Sequence, residues 1–102
     1  MNWQEEVQNQ ASVIATKINT EIKDHESQFT RCWAIATGLP ADLAKKDCDQ
    51  RVSELHIISK GGCRAYEDHE TFEEEECGEC IGLVDETRSL LTTAQTLLKE
   101  EA

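Results

Sequence analysis

The chain predicts an all-α fold, an antiparallel three-helix bundle built on a long N-terminal helix hairpin. Three observations carry this. Apolar residues recur at steps of three and four, which places them on one side of a helix. Pro40 is the only proline of 102 residues, so little interrupts helical runs. The β-branched and aromatic alternation that strands require is absent, and there are only five aromatics: Trp3, Phe29, Trp33, Tyr66 and Phe72.

The first helix is expected over residues 3–37. Asn2-x-x-Glu5 is a capping box: the Asn side chain accepts from a free backbone amide while the Glu reaches back. Trp3, Val7, Ala11, Ile14, Ile18, Ile22, Phe29, Cys32, Trp33 and Ala36 then form one stripe. Gly38 supplies a C-terminal stop and Pro40 a fresh start. At 1.5 Å per residue such a helix is about 50 Å long. His25 lies beside the stripe as a boundary histidine.

The second helix, residues 40–60, carries Leu43, Ala44, Cys48, Val52, Leu55 and Ile58 on one face and ends at Lys60-Gly61-Gly62. The short turn at Gly38-Leu39-Pro40 makes helices one and two an antiparallel hairpin. Cys32 and Cys48 then face each other as two small apolar core residues, a cross-helix disulfide being the alternative under oxidising conditions. Residues 61–70 read as a connection, with at most a short helical turn.

The third helix is expected over residues 72–99. Thr71-x-x-Glu74 is a second capping box, and the acids after it suit the positive end of the helix dipole. Cys80, Leu83, Val84, Leu90, Leu91, Ala94, Leu97 and Leu98 form its apolar face, with Leu83, Leu90 and Leu97 at heptad spacing. Gly78 and Gly82 mark either a kink, which would make a fourth helix, or a small-residue face where another helix comes close. The whole chain, 1–102, reads as one helical domain. Helix one overhangs helix two, so its Trp3 end is expected to pack on helix three or to form a homodimer.

Charge is concentrated in one segment. Net charge is −11, yet between Arg64 and Arg88 there are ten acids and no Lys or Arg. The remainder holds eleven acids against ten bases. With no basic stripe to displace counterions, direct nucleic-acid binding is disfavoured, and so are anionic membrane surfaces. No N-terminal apolar run resembles a signal peptide, and no stretch reaches transmembrane length. Five cysteines without an export signal suggest a reducing, cytoplasmic setting in which thiols are free or bind metal; their odd number argues against a closed disulfide set.

Cys77-Gly78-Glu79-Cys80 has the spacing that lets two thiolates grip one metal. With Cys63 and His69 it gives C-x5-H-x7-C-x2-C, a candidate tetrahedral zinc site. A thioredoxin-like role is disfavoured, because Glu74, Glu75, Glu76 and Glu79 oppose thiolate formation and no strand–helix alternation supplies the scaffold. Inward Glu-x-x-His pairings and a glycine-rich phosphate loop are both missing from the sequence, which disfavours an enzyme. Unneutralised like charges destabilise the fold that carries them, so a basic partner is the expected compensation. Glu67, Asp68, Glu70, Glu73, Glu74, Glu75, Glu76 and Glu79 are the candidate contacts. The leading expectation is a small inhibitor or adaptor on the basic surface of a nucleic-acid-handling protein. Nuclease-immunity proteins and phage-encoded inhibitors share this size and charge, a likeness of composition only. The alternatives are a zinc-stabilised regulatory module and a helical scaffold or oligomerisation subunit.

Overall fold

The computed structural model describes residues 2–63, 70–72 and 75–101, of Glu70 the backbone alone. Three helices pack together: α1 (Trp3–Thr37), α2 (Ala41–Ser59) and α3 (Gly78–Glu101). Between α2 and α3 lie two short strands, β1 (Gly62–Cys63) and β2 (Glu70–Thr71), paired antiparallel with Gly62 opposite Thr71 and Cys63 opposite Glu70. The all-α bundle is as the periodicity predicts, and the ladder is an addition to it.

At the start of α1, Asn2 Oδ1 accepts from the Glu5 amide at 2.9 Å; at its end Gly38, at φ 76°, turns the chain and donates to the Ala34 carbonyl. Val7, Ala11, Ile14, Ala15, Ile18, Phe29, Cys32 and Trp33 are buried. The six residues between Ile22 and Phe29 offer the core nothing apolar, and α1 bends there, with His25 outside helical geometry at φ −142° and ψ 42°. His25 is exposed at this bend rather than at the core boundary.

α2 returns along α1, burying Ala44, Cys48, Val52, Leu55 and Ile58, while Leu43 is 47% exposed. Cys32 and Cys48 are both buried and free, as two apolar core residues. α3 runs parallel to α1: Arg88 donates to Gln10, Gln95 to Glu21 and Arg31 to Glu101, so positions rise together along both helices. Its buried seam is Cys80, Val84, Thr87, Leu91 and Ala94, one step from the leucine repeat. Leu83, Leu90 and Leu97 flank that seam, partly buried. Small seam residues let α3 lie close to α1, and the leucines cover the edges.

α3 begins six residues later than the capping box implies. Thr71 pairs with Gly62, and the Phe72 amide donates to the Gly61 carbonyl at 3.1 Å. The Phe72 ring meets Trp3 edge-on, centroids 5.0 Å apart. This long-range apolar contact outweighs a local capping signal. It also covers the Trp3 overhang from within the same chain. The helix starts instead where the Cys77 carbonyl accepts from the Ile81 amide. Of the glutamate run, Glu73 and Glu74 lie outside the described residues, and Glu75 and Glu76 precede α3 rather than open it.

One polar network joins the three helices. The buried Trp33 indole donates to Asp47 Oδ2 at 3.1 Å, and Arg51 bridges Asp47 and Glu86 at 2.9 Å each. Although burial works against its charge, the hydrogen bonds it donates to Asp47 and Glu86 hold the Arg51 pKa above its ordinary value.

Thermal or urea unfolding of four variants tests this packing. A Cβ at Gly82 meets nothing, so Gly82→Ala should stabilise α3 by up to about 1 kcal/mol and raise Tm by about 4–8 °C. At Gly62 a Cβ would lie 2.9 Å from the Ile57 carbonyl oxygen, so Gly62→Ala should cost about 1–3 kcal/mol. Asp47→Ala strands the Trp33 indole and one side of Arg51, and should cost about 2–3 kcal/mol. Glu86→Gln, at a side chain that is 63% exposed, should cost less than about 1 kcal/mol.

Candidate functional site

The ladder brings Cys63, from the end of α2's descent, onto the N-terminus of α3. Gly61 turns the chain at φ 92°, and Gly62 passes tight against Ile57 where a side chain would not fit. Cys63 is 2% and Cys80 0% exposed, whereas Cys77 is half-buried. The sulfurs of Cys63, Cys77 and Cys80 all lie within 4.8 Å of one another. Cys63 and Cys80 are joined as a disulfide, with Cα atoms 6.0 Å apart and a sequence separation of 17.

This pairing corrects the expectation that every cysteine is a free thiol or a metal ligand. An odd cysteine count leaves room for one bond and three free thiols, and the hairpin supplies the approach that spacing alone does not disclose. The three-sulfur group nevertheless matches the expected metal site in three of its four members. Tetrahedral zinc held at about 2.3 Å from each sulfur separates them by about 3.8 Å, within the observed reach once the disulfide is reduced. His69, the expected fourth ligand, lies outside the described residues.

A cleft of about 180 Å³ opens beside the cysteines, lined by Cys63, Thr71, Glu75, Glu76, Cys77, Gly78 and Glu79. Glu75, Glu76 and Glu79 are exposed there, and Glu79 lies in the first turn of α3. Of the other expected contacts, Glu70 sits in β2 by its backbone, and Glu67, Asp68, Glu73 and Glu74 fall outside the described residues. Two acids of the same basic-free interval are engaged within the fold: Asp85 with Arg88 at 3.2 Å and Glu86 with Arg51.

A larger cleft, about 450 Å³, follows the bend of α1 and includes Glu21, His25, Gln95 and Glu101. Glu21 already accepts from Gln95, and Glu101 from Arg31, so its polar groups pair across the groove instead of converging on an occupant. No helix among the described residues is long and apolar enough to cross a membrane. Compared with protein-family models, curated proteins and solved structures, the chain matches none of them.

The remaining thiols differ in burial: Cys32 and Cys48 lie in the core and Cys77 is half-buried. Burial pushes the Cys48 thiol up to about 12, with Asp49 and Asp47 adding to the shift, and burial raises Cys32 as well. Native, unreduced protein at neutral pH should therefore take up iodoacetamide at Cys77 alone; Cys32 and Cys48 should label only in denaturant. Peptide mass mapping reads both outcomes. Because the folded Cys48 pKa is raised, its contribution to stability is complete below about pH 8.5, the ordinary thiol value. It is lost as pH rises towards about 12, which urea midpoints measured across that range should follow.

Proposed function

We propose that the chain is a non-catalytic helical interaction module that presents a stapled acidic loop to the basic surface of a protein partner. The supporting observation is that Cys63 and Cys80 meet in space. Between them in sequence lie Glu67, Asp68, Glu70, Glu73, Glu74, Glu75, Glu76 and Glu79, eight of the ten acids of the basic-free interval. Closing that loop removes chain entropy before the partner arrives, so less is lost on binding. The concentrated charge steers association and makes it fast and salt-sensitive. A partner that itself handles nucleic acid offers the matching basic face, which is the inhibitor or adaptor role.

In the reduced state the staple is a metal. Three thiolates suit zinc, a d¹⁰ ion that accepts soft sulfur donors, and Glu75, Glu76 and Glu79 line the adjoining cleft. A divalent cation also offsets charge in a segment that carries a large excess of anions.

The test has two arms. Reduced protein should bind about one equivalent of zinc and lose thermal stability when a chelator removes it; less than about a tenth of an equivalent rejects the metal. For docking, immobilised protein is exposed to native lysate at about 50 mM and about 500 mM salt. Substituting Glu73 to Glu76 with glutamine should abolish capture of the principal salt-sensitive partner. Equal capture by that variant rejects the acidic loop as the contact.

A further inference from the structure

We propose that Cys77 is the entry thiol of a three-cysteine relay, through which a low-molecular-weight disulfide closes the Cys63–Cys80 bond and so expels the metal. The metal half of this inference rests on the zinc reading above; the relay does not. Three observations carry it. In the bonded state Cys80 is fully buried and Cys63, which borders the same cleft as Cys77, is only 2% exposed, so both offer a small oxidant far less access than Cys77 does. Cys77 is half-buried and lines the open 180 Å³ cleft, so an oxidant can reach it. All three sulfurs lie within 4.8 Å, close enough for side-chain rotation to bring any two into bonding contact.

The chemistry is thiol–disulfide exchange, written for an oxidant RSSR. The Cys77 thiolate attacks one sulfur of RSSR; the R–S–S–R bond breaks and one RS⁻ leaves, giving a mixed disulfide on Cys77. The Cys80 thiolate then attacks the Cys77 sulfur, forming a Cys77–Cys80 bond and releasing the second RS⁻. Finally the Cys63 thiolate attacks Cys80, forming Cys63–Cys80 and returning Cys77 as a thiolate. In sum, two cysteine thiolates lose two electrons and one RSSR becomes two RS⁻, so charge and atoms balance. The accessible sulfur is regenerated and the buried pair holds the bond, which is the arrangement the structure records. A metal that loses two of its three thiolates retains only Cys77 and dissociates.

Oxidised glutathione serves as the probe, with fully reduced protein in a metal-free arm and a zinc-loaded arm. In the metal-free arm, the Cys63–Cys80 link should form in the native chain and at least about tenfold more slowly in Cys77→Ser, for want of a nucleophile at the entry. Equal rates overturn the relay. Cys77→Ser does not remove either sulfur of the bond, and its circular dichroism and unfolding midpoint after slow air oxidation should match those of the native chain. A second variant, Cys32→Ser, keeps all three relay sulfurs and should close at the native rate; slowing as large as that of Cys77→Ser overturns the assignment to Cys77. In the zinc-loaded arm, a colorimetric chelator should record one zinc released for each Cys63–Cys80 bond that peptide mapping finds. Zinc that stays bound after closure overturns the expulsion. Absence of zinc binding before any oxidant is added rejects the metal reading instead, and the metal-free arm still decides the relay.

Discussion

The bundle depends on α1 being apolar on two sides. α2 and α3 each lie along α1 but barely meet one another, so one helix supplies half of both interfaces. Its N-terminal half meets this demand with small and branched residues, Ala11, Ile14, Ala15 and Ile18, which let the partners approach closely. Its C-terminal half uses bulk instead, through Phe29 and Trp33, whose rings pack 5.8 Å apart. The bend at His25 falls where one scheme gives way to the other. α2 and α3 meet chiefly through polar reach, as Arg51 extends to Glu86 from the Asp47 carboxylate that also holds Trp33.

That dependence explains why the N-terminal end of α1 needs a cover. α2 is 19 residues against the 35 of α1, so the Trp3 end outruns it. Phe72 fills the gap, and to do so the chain after α2 must turn back at Gly61, form a ladder and stay extended past Thr71. A helix starting at residue 72 would carry Phe72 away from Trp3. The local capping pattern and the ring contact are therefore incompatible, and the contact wins because burying two aromatic rings is worth more than one cap.

The bounds of α1 and the core faces of α1 and α2 were legible because their signals are periodic and their stops, Gly38 and Gly61, act locally. Leu43 escaped that reading since a residue two positions inside a helix end can share the core's phase and still lie beyond its edge. Four of the five seam residues of α3, Cys80, Val84, Leu91 and Ala94, stand on its expected apolar face; Thr87 was left off it because it looks polar in sequence, yet it is fully buried in line with Val84 and Leu91. Cys77 and Cys80 announce themselves by spacing. Their partner's pairing does not, because a bond between Cys63 and Cys80 follows from a two-residue ladder that periodicity is too coarse to register.

The same geometry bears on why cysteines hold this segment at all. From Ala65 to Glu76 the sequence offers Tyr66 and Phe72 as its only large apolar side chains among seven acids. Phe72 is committed to Trp3, and carboxylates at this density repel one another and favour an expanded chain. The ladder and the Phe72–Trp3 contact anchor the described part of this segment, and the Cys63–Cys80 cross-link ties it to α3 as well. By the chain-entropy account, a bond spanning 17 positions is worth about 3 kcal/mol, enough to offset several weak repulsions between exposed charges.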